Sequence, residues 1–176
     1  MDSYEKLISD ISALAKKVVA VCAENGYHVA TAESCTGGMI SAALTAVSGS
    51  SAVIELGVCS YSNRIKQEVL RVSADTLEKH TEYSTECAEE MAQGVMNAAG
   101  AEFAVSTTGV AGPTGGTEAH PVGEVCIGVC DNRPWTNSYR FLFEHDKGKD
   151  YSERDYIRAA AARRALALLL EQIESY

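Results

Sequence analysis

The stretch His28-Val29-Ala30-Thr31-Ala32-Glu33-Ser34-Cys35-Thr36-Gly37-Gly38 carries two patterns within eleven residues. Residues 28–32 read as a short strand, β-branched or small at every position after His28. Residues 36–47 read as a helix with Gly37 and Gly38 in its first turn. Glu33, Ser34 and Cys35 fall in the tight turn between the two. A strand feeding a helix through such a turn is the building unit of α/β domains.

The pattern repeats outward in both directions. Upstream, Leu7, Ile8, Ile11, Leu14, Ala15, Val18, Val19 and Cys22 recur every three or four positions, one face of a helix that Asn25-Gly26 stops. Downstream, a β-rich run spans 52–61, helices are expected over 64–70, 74–80 and 85–99, and a strand over 102–107. Strands over 122–129 and 136–143, joined by Asp131-Asn132-Arg133-Pro134, suggest an antiparallel hairpin. A helix over 152–173 closes the chain. The alternation predicts a three-layer α/β/α sandwich with a mixed, mainly parallel sheet, as one domain over residues 1–176.

The chain has 176 residues and sets 15 Lys plus Arg against 24 Asp plus Glu, a formal net charge of −9. Clustered cations releasing counterions supply most non-specific nucleic-acid affinity, so this acidity argues against a nucleic-acid partner. An anionic small molecule stays admissible where positive groups are concentrated locally. Met1-Asp2-Ser3-Tyr4-Glu5-Lys6 has no basic segment leading into an apolar run, so no targeting leader is expected. The apolar stretch 159–170 is broken by Arg163 and Arg164, so no membrane span is expected. Six cysteines without a secretory signal read as reduced thiols in a cytoplasmic protein.

Loops at the C-terminal ends of strands are where open α/β sheets place ligands. In the first, Ser34 is either a simple helix cap or an exposed hydroxyl among free N–H donors that could stabilise an oxyanion. Two glycines cost a helix about 1 kcal/mol each relative to alanine, which suggests a close approach to that backbone. Cys35 is a rival nucleophile, because a helix N-terminus lowers a thiol pKa. After the second strand comes Tyr61-Ser62-Asn63-Arg64-Ile65-Lys66. Lys66, near a helix start, is either a solvated surface lysine or, if desolvated, a general base with its amine pKa lowered from about 10.4.

After Thr108, the loop 109–117 holds Gly109, Gly112, Gly115 and Gly116, four of the chain's 14 glycines. It is either a flexible surface turn or a nest of amides for a phosphate; it fits neither a P-loop nor a dinucleotide fingerprint. His28, His80, His120 and His145 form no metal-ligand pair with one another or with the cysteines, so no metal site is expected. No redox-type cysteine pair is present either.

Ala32-Glu33-Ser34-Cys35-Thr36-Gly37-Gly38, Val47-Ser48-Gly49-Ser50-Ser51, Tyr61-Ser62-Asn63 with Lys66, and Thr108-Gly109-Val110-Ala111-Gly112-Pro113 through Pro121-Val122-Gly123 together resemble the CinA C-terminal domain family. That family includes nicotinamide-nucleotide amidohydrolases, or NMN deamidases, and the likeness is to its stand-alone form. The resemblance implies hydrolysis of nicotinamide mononucleotide to nicotinate mononucleotide and ammonia, without a metal or redox cofactor. It implies Ser34 as nucleophile, Lys66 as base and Tyr61 as the hydroxyl that relays or orients between them. Thr108 and the backbone of Cys35, Thr36 and Gly37 are candidates for oxyanion or carboxamide contacts. Gly109, Gly112, Gly115 and Gly116 would cradle the phosphate, with Arg154 and Arg158 as further phosphate ligands or, equally, a solvated helix face.

Three segments depart from the family's usual pattern. Thr81-Glu82-Tyr83 stands where Gly-Ala-Val is common after a histidine, His120 replaces the lysine before Pro121, and the segment before Arg154 lacks the usual glycine and aspartate. These could alter a pocket wall or a substrate preference. The alternative function is a noncatalytic pyridine-nucleotide-binding or regulatory module, which release of ammonia would distinguish. Self-association into a homo-oligomer is expected of so compact a domain.

Overall fold

Among the described residues, five of the six α-helices begin on a serine. A computed structural model describes residues 3–133, 136–145 and 151–176 of the chain. Ser3 caps Tyr4–Asn25 (α1), which ends on a left-handed Gly26. Ser62, Ser73, Ser84 and Ser152 cap Asn63–Leu70 (α3), Ala74–Lys79 (α4), Thr85–Ala99 (α5) and Glu153–Glu174 (α6) in the same way. The exception is Met39–Thr45 (α2), which Gly38 begins with no side-chain hydrogen bond of its own.

The strands are Val29–Glu33 (β1), Ile54–Cys59 (β2), Phe103–Gly109 (β3), Glu124–Asp131 (β4) and Thr136–Leu142 (β5). They form one open sheet in the order β2-β1-β3-β4-β5. β1 is parallel to both β2 and β3, and β4 is antiparallel to β3 and β5. Four strands therefore point one way and β4 runs against them, a mixed sheet with the expected hairpin at one edge.

Helices α1, α2 and α6 cover one face and α5, with α3 and α4 against it, covers the other. The alternation along the strands builds both cores: Phe103 and Val105 of β3 join Leu7, Val18, Leu166 and Leu169, whereas Ala104 joins Met91, Val95 and Leu70. Both faces of β1, β3 and β4 are buried, as expected of strands sandwiched between helical layers. Among the described residues no helix is long and apolar enough to cross a membrane.

One expected boundary is corrected. Gly37 and Gly38 lie before α2 rather than in its first turn, with φ of 62° and 94°. Two consecutive left-handed residues cannot sit in a right-handed helix, and only glycine takes that conformation at little cost.

Candidate active site

The parallel strands β2, β1 and β3 end side by side, and the turns that leave them converge on one cleft. Ser34 follows β1, Ser60 and Tyr61 follow β2, and Gly109 ends β3 with Val110 and Ala111 after it. The cleft is lined by Ser34, Cys35, Tyr61, Asn63, Lys66, Glu82, Tyr83, Gly109, Ala111 and Arg154.

Ser34 is held by the sheet. Its N–H donates to the Thr107 carbonyl at 2.9 Å, and Ser60 N–H donates to the Glu33 carbonyl at 2.9 Å, so the β1 ladder runs on to the serine. Lys66, on the fourth position of α3, reaches back under the turn and is only 1% exposed. Its Nζ lies 3.2 Å from Ser34 Oγ and 3.0 Å from the Ser60 carbonyl. Burial pushes its ammonium below the ordinary lysine range, opposed by the neighbouring Cys87, Glu82 and Cys35. Cys87 and Cys35 are themselves thiols that burial raises to about 12, hence uncharged at neutral pH. The Glu82 carboxylate is then the neighbour that steadies the positive charge.

Cys35, the rival nucleophile, lines the cleft but is 5% exposed, and burial pushes its thiol up to about 12: loss of water around the sulfur outweighs the help of the nearby Cys35 and Thr36 amides and of Lys66. The helix N-terminus expected to serve an oxyanion is occupied as well. The fully buried Glu33 carboxylate accepts from the amides of Gly38 at 2.9 Å, Ile40 at 3.1 Å and Ser41 at 2.8 Å. It also accepts from the hydroxyls of Thr36 at 2.7 Å and Ser41 at 2.8 Å. The protein's own carboxylate thus takes over the capping of α2 from the Gly38 amide onward, while the Cys59 sulfur packs against Gly38.

Among the described residues no backbone carbonyl accepts from the amides of Cys35 or Thr36. The Thr36 side chain faces inward. Its proton goes to Glu33, so the Thr107 hydroxyl, 2.7 Å away, must donate to it. Gly37 lies beside Arg158, whose Nη2 donates to the Thr36 carbonyl at 2.9 Å. Arg158 therefore braces the turn.

Tyr61 lines the cleft at 66% exposure, and its hydroxyl accepts from Arg154 Nη2 at 2.9 Å rather than meeting Ser34 or Lys66. Arg154 also donates through Nη1 to the Gly112 carbonyl at 2.8 Å. The buried Thr108 lies outside the lining and spends its hydroxyl on the Glu82 carbonyl. Gly109 lines the cleft, whereas Gly115 and Gly116 are exposed outside it. The glycine loop is divided: its first residues form wall, and its tip forms surface.

A model of the CinA C-terminal domain matches residues 11–173. The chain belongs to the CinA C-terminal domain family. This CinA domain is 40% identical over 166 residues to a CinA-like protein of Chlorobaculum tepidum, an alignment covering 92% of this chain and 38% of that protein. The crystal structure of the competence/damage-inducible protein CihA from Agrobacterium tumefaciens superimposes with a TM-score of 0.85 at 38% identity, covering 92% of this chain and 94% of that one. The competence damage-inducible protein A from Klebsiella pneumoniae gives 0.86 at 35% identity, covering 94% and 98%. The chain spans 25% to 39% of the length of the first curated relatives it matches.

Residues that looked like separate departures meet in the folded CinA domain. His120 Nε2 lies 3.3 Å from the Thr81 hydroxyl, and its ring centroid is 5.4 Å from that of Tyr83. Thr81 adopts φ 69°, a left-handed conformation that a β-branched residue rarely takes. The carbonyls of this wall are tied to the sheet, Glu82 by Thr108 and Tyr83 by the Cys126 thiol at 3.2 Å. Sequence reasoning flagged Glu82 and Tyr83 only as departures and did not single out Asn63 or Ala111. Glu33 carried one usable signal: a charged residue ending a strand of otherwise small side chains.

Proposed function

We propose that this CinA domain is an amidohydrolase that converts nicotinamide mononucleotide to nicotinate mononucleotide and ammonia. The observation that carries the reading is the contact between Ser34 Oγ and a buried, pKa-lowered Lys66 amine at 3.2 Å. With the amine neutral, the serine O–H donates along the same line to the Nζ lone pair, while the Ser60 carbonyl keeps one N–H oriented. Lys66 takes the serine proton as Oγ bonds to the carboxamide carbon. It returns that proton to the departing nitrogen as the C–N bond breaks. Water then enters by the same base, giving the carboxylate and free Ser34.

The amides of Cys35 and Thr36 are the donors left for the oxyanion once Glu33 has taken those of α2 and the Ser34 carbonyl has taken the third candidate, Gly37. Arg154 has guanidinium donors beyond the two held by Gly112 and Tyr61, and these suit a phosphate. In this reading Tyr61 positions Arg154 and walls the cleft. Purified protein supplied with nicotinamide mononucleotide should release ammonia. Ser34→Ala should lower that rate by at least about a thousandfold, while Cys35→Ala keeps most of it. Retained activity in Ser34→Ala would sink the assignment.

A further inference from the structure

The cleft contains two opposite charges in addition to Lys66: the Arg154 guanidinium and the Glu82 carboxylate. A phosphate and a neutral amide need no carboxylate beside them, and an acidic side chain in a cleft meant for an anion would ordinarily oppose binding. The Glu82 segment is nevertheless built firmly. Thr108 and Cys126 hold its carbonyls, His120 packs on Tyr83, and Ser84 caps the helix that follows. Tyr83 and Tyr61 add two aromatic rings to the same cleft, surfaces that attract cations through their faces.

Resting on the mononucleotide reading above, we propose that Glu82 is a specificity-determining residue, selecting amides carried on a cationic aromatic ring over amides on a neutral one. The carboxylate and the tyrosine faces receive the ring's positive charge, while Arg154 receives the anionic group at the other end of the same molecule. The selection has a second consequence. Hydrolysis turns the neutral carboxamide into a carboxylate beside Glu82, so like charges then meet and the product is expelled more readily than the substrate.

Binding rather than turnover tests this, in a Ser34→Ala background, with two probes that share carboxamide, ribose and phosphate. One is nicotinamide mononucleotide, with a cationic ring; the other is its reduced form, whose dihydropyridine ring is neutral. Glu82→Gln should weaken the cationic probe by about tenfold and leave the neutral probe within about twofold, a size fitting a partly solvated charge pair. Glu82→Asp should keep the preference for the cationic probe. Equal weakening of both probes, or of neither, overturns the assignment of Glu82. Failure of the Ser34→Ala parent to bind either probe overturns the mononucleotide reading, and the proposal with it.

Discussion

At the scale of single residues, Lys66 governs what the cleft can do. Burial disfavours its ammonium, so the folded chain binds fewer protons there than the unfolded chain between the lowered pKa and the ordinary value of 10.5. Stability should therefore rise with pH across that interval, and Lys66→Met should remove this part of the slope in thermal unfolding followed pH by pH. Activity should rise across the same folded-state titration, because the proposed base works deprotonated. Replacing Glu82 by Gln removes the charge that steadies the ammonium and should move that limb to lower pH. Glu33 is the second governing residue. Glu33→Gln keeps the shape but presents an NH2 group to donors that need an acceptor, and should cost about 2–4 kcal/mol in denaturant unfolding. Turnover should fall with it, since the Ser34 turn loses its anchor. The local pattern displayed Ser34 and Lys66 as candidates but not their contact, because 32 positions separate them; only the family resemblance implied that they work together. The fate of Cys35 was hidden for a related reason: proximity to a helix start is local, whereas burial is set by the whole core.

At the scale of elements, most of the architecture was legible and most of the site's wall was not. Hydrophobic periodicity marks α1 and α5 because each buries one stripe. No periodicity marks residues 80–84, whose shape comes from the left-handed Thr81 and from bonds to Thr108, Cys126 and His120. Those partners belong to β3, β4 and the loop before β4, so only the assembled sheet brings them together. The packing of α3 on α5 is equally invisible in sequence. A Cβ on Gly94 would fall 1.8 Å from the Leu70 carbonyl oxygen, so the C-terminal end of α3 rests directly on α5 at that point. Gly94→Ala should push α3 away, destabilise the fold by about 1–3 kcal/mol and reduce turnover, because Lys66 rides on the same helix. A structure or chemical-shift map of the variant would check whether α3 moves; a change confined to α5 would contradict the account.

At the scale of the whole molecule, α1 completes one of the two helical layers. Its buried face, Leu7, Ile11, Ala15, Val18, Val19 and Cys22, packs in the core formed with α6. Burial of this face is worth roughly 10 kcal/mol before entropy is counted, comparable with the net stability of an entire domain. Deleting residues 3–25 should abolish cooperative thermal unfolding, even though no residue of the cleft is removed. The net charge of −9 also belongs to this scale. It gives no long-range attraction for an anion, so any phosphate affinity must come from donors inside the cleft such as Arg154.

The ladder that ends on Ser34 has a consequence for hydrogen exchange. The Ser34 amide is bonded into the sheet through Thr107, while the amides of Cys35 and Thr36, one and two residues on, have no backbone acceptor among the described residues. Neighbouring amides should therefore exchange on different clocks, Ser34 with the opening of the sheet and the next two through local motion alone. A carbonyl ligand seated in the cleft should slow the fast pair and leave the slow one unchanged.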